Sequence, residues 1–224
     1  MKLSQPLFIG AIVTSLFLVG CTSAVTDRTQ YSGFLANYDN LKEVTTSSGG
    51  KAMRWVSPSW NPNGYDTVVF NRLELYPTPQ PNERVNKQTL DELQTYMTNQ
   101  AKGVLGQKYQ VVTNASTAIA GSKTLILRAA ITGVNAANQG MKWYEVIPVA
   151  AAVGGISAAT GHRDQDTELF IEAEFVDAST HQTVAKVVRK ALGETLSNAS
   201  QTITANDFKA AIARLTSDFQ VFIR

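Results

Sequence analysis

Acidic side chains are concentrated near the middle of the second half of the chain, at spacings that could serve catalysis. Four carboxylates fall within one predicted hairpin: Glu168, Glu172, Glu174 and Asp177. A pair of carboxylates held about 5–10 Å apart can hydrolyse a glycosidic bond. The same residues are also typical of a charged outer sheet face, which is the interpretation we prefer. A hydrolase that uses these carboxylates is therefore an alternative function.

The run of residues 162–168 is a second candidate for chemistry. Polar residues alternate along it: His162, Asp164, Asp166 and Glu168. On a strand end these side chains would share one face, and their oxygens could ligate a divalent cation. A solvated loop is the alternative that we prefer. We therefore predict no metal site and no cofactor. The four residues are only weak candidates for metal ligands.

The single cysteine, Cys21, excludes an internal disulfide and a cysteine-rich zinc site. It follows a basic residue, Lys2, and an apolar stretch at residues 7–20. As a helix this stretch would span about 21 Å, less than the roughly 30 Å hydrocarbon core of a bilayer. That length is typical of a signal peptide. The residues that end in Gly20 and Cys21 resemble the bacterial lipobox.

The lipobox implies cleavage between Gly20 and Cys21, which removes residues 1–20. Cys21 would then carry diacylglycerol and an acylated amine. Incorporation of labelled palmitate would detect this acylation. Two or more acyl chains anchor a protein firmly in a bilayer, whereas one binds only marginally. We therefore expect residues 21–30 to form a lipidated tether and residues 31–224 to form a periplasmic domain.

Composition and the residue after the cysteine bear on location and partners. Hydrophobic residues are 44% of the 224-residue chain and charged residues 17%, which excludes disorder for most of it. The net charge is only +2, so we expect no nucleic-acid partner. The expected partners are the bilayer, through acylated Cys21, and an envelope protein or a second copy. In enteric-type bacteria, an aspartate directly after the lipidated cysteine favours retention in the inner membrane. This chain has Thr22 at that position, which favours the outer membrane, with the domain facing the periplasm.

Hydrophobic periodicity predicts a single α+β domain that would position the candidate side chains of residues 162–177. Apolar residues recur every three or four positions between Asn86, a predicted N-cap, and Gly106. A second amphipathic helix begins after Thr204, with Asp207 in an approximate capping box. Strands are predicted at residues 67–76, 109–113, 123–134, 167–177 and 182–192. This order predicts a mostly antiparallel sheet with both helices on one face.

The last two strands are predicted to form a hairpin. We expect Asp177 to pair with Gln182. That register makes Glu172 and Arg189 diagonal neighbours on the face away from Phe175.

Residues 146–161 contain no charged side chain and are rich in alanine and glycine. Ala150, Gly154 and Ala158 are spaced four apart, a spacing that lets helices approach closely in membranes. We expect an insertion that packs against the sheet. Self-association or membrane contact through this segment is the alternative.

Several segments together resemble a known family. The lipobox is followed by Tyr-Ser-Gly-Phe-Leu-Ala-Asn-Tyr at residues 31–38, by a strand that ends at Tyr76, and by Ile-Glu-Ala-Glu-Phe-Val-Asp at residues 171–177. The small residues after Pro148 fit as well. In these features the chain resembles the domain-of-unknown-function 3313 family of bacterial lipoproteins. The resemblance implies an envelope location and no established catalytic residue.

We therefore predict a non-enzymatic, membrane-anchored envelope lipoprotein that binds a partner or supports an assembly. One alternative is an envelope hydrolase that uses the hairpin carboxylates or the 162–168 loop. The other is an oligomerising module built on residues 146–161. A concave pocket with several titratable side chains would favour the hydrolase, whereas an exposed apolar patch would favour binding.

Overall fold

The computed structural model describes residues 25–118, 121–138, 165–198 and 200–224. Within these ranges eight strands form one mixed sheet, and two α-helices pack on it, which confirms the predicted single-domain α+β fold. The elements are β1 (Lys42–Thr45), β2 (Lys51–Val56), β3 (Thr67–Val69), β4 (Glu74–Leu75), α1 (Lys87–Leu105), β5 (Gln110–Val112), β6 (Thr124–Asn138), β7 (Gln165–Asp177), β8 (Thr183–Leu196) and α2 (Lys209–Phe222). The predicted signal peptide at residues 1–20, Cys21 and residues 146–161 lie outside the described residues.

The sheet is antiparallel on one side and parallel on the other. Its order is β1-β2-β8-β7-β6-β3-β5, and β4 also pairs with β6. The strands from β1 to β6 in this order pair antiparallel, whereas β3, β4 and β5 make parallel ladders. The parallel pairing of β3 and β5 is possible because α1 forms the crossover between them. The prediction of a mostly antiparallel sheet is therefore confirmed.

The strand predicted at residues 67–76 is in fact two short strands. Both β3 and β4 run alongside β6, but the register shifts by one residue between them. Within the break, the Leu73 amide donates to the Thr98 hydroxyl of α1 at 3.1 Å. Because of the shift, Val68, Phe70 and Leu73 are the buried apolar residues of this stretch, and Thr67 is buried as well.

The hairpin of β7 and β8 forms as predicted at its tip but not beyond it. The Asp177 amide donates to the Gln182 carbonyl at 2.9 Å. A bulge at Val184 then shifts the register, so Phe175 faces Ala185 and Ile171 faces Arg189. One extra residue turns every following side chain to the opposite face. Arg189 therefore lies on the helix-covered face, and the predicted neighbourhood of Glu172 and Arg189 was wrong.

Both helices cover the same face of the sheet, as predicted. α1 begins where Asn86 accepts a hydrogen bond from the Thr89 amide at 2.9 Å, and Gly106 is its C-cap. α2 follows a 3₁₀ turn at Ala205–Phe208, where the Asp207 carboxylate accepts from the Thr204 amide at 2.7 Å. Within the described ranges, neither helix is long and apolar enough to cross a bilayer.

Residues 31–41 pack on the other face of the sheet. Phe34, Leu35 and Leu41 are buried there against Ala130 and Val188 of the sheet. The domain therefore has two cores, one under the helices and a smaller one under residues 31–41.

Candidate functional site

A cavity of about 310 Å³ lies between the helices and the sheet. Its floor crosses four neighbouring strands, from β2 through β8 and β7 to β6. Its volume is at the lower end of the range for ligand pockets, roughly 300–1,000 Å³. Most of its lining is apolar, and it includes Leu127, Ile171 and Phe175 on the sheet and Met97, Leu215 and Phe219 on the helices.

The cavity exists because small side chains line its floor beneath the helices. Ala129 of β6, Ala173 of β7 and Ala185 of β8 all point toward the helices. Leucine or isoleucine at these positions would fill the same space. The predicted apolar stripe of α2 is confirmed, but its C-terminal half, including Leu215 and Phe219, is only partly buried. These side chains face the cavity instead of closing the core.

One end of the cavity is polar and is built around Asp218 of α2, which is 8% exposed. Its Oδ1 accepts from the Ser47 hydroxyl at 2.6 Å and from the Ser48 amide at 2.7 Å. Its Oδ2 accepts from the Ser48 hydroxyl at 2.8 Å and from Arg189 at 2.7 Å. Asp218 thereby fixes the turn between β1 and β2 to α2, and this turn forms part of the cavity wall.

The environment of Asp218 keeps it ionised. Burial raises the pKa of its carboxyl, but hydrogen bonds from Ser47 and Ser48 outweigh burial and hold the pKa well below its usual range. The ion pair with Arg189 is also shielded from water, because the two side chains are 12% and 6% exposed. The Nε atom of Arg189 is buried and has no hydrogen-bond partner among the described residues.

Arg54 of β2 brings a second guanidinium group to this end of the cavity. Its Cζ lies 5.3 Å from the centroid of the Phe222 ring, in cation–π geometry. Within the described part of the chain, no carboxylate forms an ion pair with Arg54. Glu174 and Lys186 also border the cavity, but the register places their side chains on the opposite face.

Three of the four predicted carboxylates, Glu168, Glu172 and Glu174, lie on that opposite face and are buried. Glu172 is fully buried, and its oxygens accept from the Ser32 amide at 2.8 Å and the Tyr38 hydroxyl at 2.5 Å. Burial, followed by the hydrogen bond to Glu172, raises the pKa of Tyr38 to about 12. The prediction of a charged outer sheet face was therefore wrong, because Glu168, Glu172 and Glu174 are each under 10% exposed and residues 31–41 cover Glu172.

The two neighbouring glutamates are each paired with a cation. Glu174 binds Arg128 at 2.6 Å, and Arg128 in turn lies over the Phe34 ring. Glu168 binds Lys190 at 3.2 Å, and both side chains are under 10% exposed. Carboxylates that are already paired and covered are poorly placed to protonate or attack a substrate.

The fourth predicted carboxylate, Asp177, shapes the hairpin turn. It accepts hydrogen bonds from the Ser179 amide, the Thr180 amide and the Tyr65 hydroxyl at 2.8, 3.0 and 2.9 Å. Within the turn, His181 adopts a φ of 57°, the left-handed region that glycine usually occupies. His181 is exposed.

The candidate cation ligands are only partly described. Asp166 and Glu168 lie in β7, where Asp166 accepts from the Thr195 hydroxyl at 3.0 Å and Glu168 binds Lys190. His162 and Asp164 lie outside the described residues. Among the residues that are described, no group of three or more acidic, histidine or cysteine side chains could hold a metal ion.

The residues at the polar end of the cavity were not predicted from the sequence. Two signals could have done so. Arg189 interrupts an otherwise apolar alternation, because Ala185, Val187 and Ala191 share its face. Asp218 likewise stands on the apolar stripe of α2 with Leu215. A charged residue within an apolar pattern indicates a buried ionic contact.

Comparison with known proteins supports the resemblance read from the motifs. The model of a protein family of unknown function, DUF3313, matches residues 30–219. The chain belongs to this family. An Escherichia coli (strain K12) protein named uncharacterized lipoprotein YdcL is 40% identical over 214 residues, which cover 96% of this chain and 94% of YdcL. The DUF3313 match includes residues 31–38, whose Ser32 amide and Tyr38 hydroxyl donate hydrogen bonds to Glu172.

Two solved structures have weak similarity to this DUF3313 protein. The PelC dodecamer from Paraburkholderia phytofirmans is 12% identical, with a TM-score of 0.40, and the alignment covers 75% of this chain and 98% of PelC. A Xanthomonas campestris protein that matches the family model DUF330 is 15% identical, with a TM-score of 0.36 and coverage of 75% and 89%. Similarity at this level says nothing further about this protein.

Proposed function

We propose that this protein is a lipid-anchored lipoprotein of the bacterial envelope whose folded domain binds an apolar molecule and catalyses no reaction. The observation that carries this proposal is the apolar cavity between the sheet and the helices. A cavity of this kind, with a few polar groups at one end, is the usual form of a small-molecule site.

The proposed lipid anchor is supported by the N-terminal sequence and by the similarity to YdcL. Cys21 stands at the end of a lipobox-like segment, and the 40% identical YdcL is named a lipoprotein. We propose that cleavage after Gly20 leaves Cys21 with diacylglycerol and an acyl chain such as palmitate. Thr22 favours the outer membrane, where the domain would face the periplasm.

The structure favours binding over the hydrolase alternative. Glu168 and Glu174 are each paired with a cation, and Glu172 accepts two hydrogen bonds under residues 31–41. The cavity lies on the opposite face and gathers mainly apolar side chains. Self-association through residues 146–161, or an envelope protein partner, stays a prediction.

A photoactivatable probe tests the binding proposal. The full lipidated protein is held in phosphatidylcholine nanodiscs and irradiated with a neutral twelve-carbon alcohol that carries a diazirine. We expect labelling of peptides from β6, β7 and α2. Ala173→Leu, which fills the cavity, should abolish this labelling.

Ala210→Leu is the matched control, because Ala210 is exposed on α2 and the same atoms are added outside the cavity. Labelling that is absent from the cavity peptides, or equal in the two variants, would contradict the proposed function.

A further inference from the structure

The cavity has two chemically different ends. At the β2 and β8 end, its lining includes the guanidinium groups of Arg54 and Arg189. At the β6 and α1 end, its lining is mainly apolar and includes Leu127, Met97 and Ala101, with Gln100 as the polar residue of α1. A molecule that fills the cavity from end to end must therefore have a polar group at one end and a hydrocarbon body.

The sign of that polar group follows from the charges at the β2 and β8 end. Asp218 is the carboxylate whose side chain lines this end, and its two oxygens already accept hydrogen bonds from the β1–β2 turn and from Arg189. Arg189 Nε is buried without a partner among the described residues. Arg54 is half-buried, and no ion pair involving it occurs in the described ranges. An anion would compensate this excess positive charge and supply acceptors for both guanidinium groups.

The size of the hydrocarbon body follows from the cavity dimensions. Four neighbouring strands are separated by three spacings of about 4.8 Å, so the floor is about 14 Å across. The volume of 310 Å³ is about twice that of an engineered ~150 Å³ cavity that binds benzene, which has six carbons. This comparison gives space for about a dozen carbon atoms, and therefore for a single chain.

Building on the proposed function, we propose that the ligand is a single acyl chain of about twelve carbons with an anionic head group, and that the head group binds Arg54 and Arg189. The anchor at Cys21 would keep the cavity close to a membrane, which is a source of such amphiphiles.

Three probes that differ only in the head group test this inference. The lipidated protein in phosphatidylcholine nanodiscs is titrated with diazirine-bearing twelve-carbon chains that end in a carboxylate, an alcohol or an amine. We expect the carboxylate to reach half-maximal labelling of the cavity peptides at a concentration at least about tenfold lower than the other two. An eighteen-carbon carboxylate should label these peptides more weakly.

Arg54→Gln should remove the advantage of the carboxylate over the alcohol. Arg72→Gln is the matched control, because Arg72 is exposed and does not line the cavity. If Arg54→Gln does not fold, the comparison of head groups on the unmodified protein decides the question. Equal labelling by carboxylate and alcohol overturns this inference and leaves the proposed function standing. Absence of cavity labelling by every probe overturns both.

Discussion

The hydroxyl of Tyr38 donates a 2.5 Å hydrogen bond to the carboxylate of Glu172, which is 134 residues away in the chain. Glu172 lies at the centre of the sheet and is fully buried. This bond, with that from the Ser32 amide, fixes residues 31–41 to β7. The segment that leads from the proposed lipid anchor is therefore part of the folded core.

Replacement of Tyr38 by phenylalanine should destabilise the domain. Glu172 would lose a donor without access to water, so the free energy of unfolding should fall by about 1–3 kcal/mol. Urea-induced unfolding of the lipidated protein measures this change. Tyr96→Phe is the control, because Tyr96 packs on the core and its hydroxyl forms no hydrogen bond within the described ranges. Equal loss in both variants would show that the bond to Glu172 contributes nothing.

Asp218→Asn should loosen the wall of the cavity as well as the domain. The substitution breaks a buried ion pair with Arg189, and such a loss costs about 3 kcal/mol. Hydrogen exchange of residues 46–50 should accelerate, since the β1–β2 turn is bonded to Asp218. Asp91→Asn, in the exposed pair with Lys87, should change stability by less than ~0.5 kcal/mol.

The same residue sets a pH dependence. The pKa of Asp218 is lower in the folded protein than in the unfolded chain, so its contribution to stability is present above pH ~4 and is lost as the pH falls through the folded value. Asp218→Asn should therefore unfold with a weaker dependence on acid than the unmodified protein. An unchanged acid dependence would contradict this role.

Gly193 in β8 should not tolerate a side chain. A Cβ atom there would collide with Thr167, with the Asp207 carbonyl and, at 2.8 Å, with Phe208. We expect Gly193→Ala to destabilise the domain by about 1–3 kcal/mol through overpacking. Gly103→Ala, in α1, is the matched control. Among the described residues nothing lies within 4 Å of a Cβ atom at Gly103, so stability should rise by roughly 0.5–1 kcal/mol. Thermal unfolding of the two variants measures both effects.

Local patterns were sufficient to predict much of this fold. The Asn86 cap of α1 depends on residues within one turn, and the alternation of β6 depends on its own residues. The bulge at Val184 has no comparable local signal, yet it decides which face Arg189 occupies. The burial of Glu172 likewise depends on a segment more than 130 residues away. The candidate site was missed because a cavity is formed by the relative placement of several elements.

Cys21→Ser tests the anchor. The substitution removes the thiol to which diacylglycerol would be attached, so labelling with palmitate should be lost and the signal peptide should be retained. Labelling of cells with radioactive palmitate, followed by electrophoresis, measures the first effect, and intact mass measures the second. Continued labelling would contradict the lipoprotein assignment, because Cys21 is the only cysteine in the chain.

The proposed binding function is tested most directly by identifying what the cavity contains in the cell. The lipidated protein is purified from intact envelopes, extracted with organic solvent, and the extract is analysed by mass spectrometry. We expect a single-chain apolar molecule, in stoichiometric amount, from the unmodified protein and Ala210→Leu, and its loss from Ala173→Leu. The same extract from all three proteins, or no bound molecule in any of them, would contradict the proposed function.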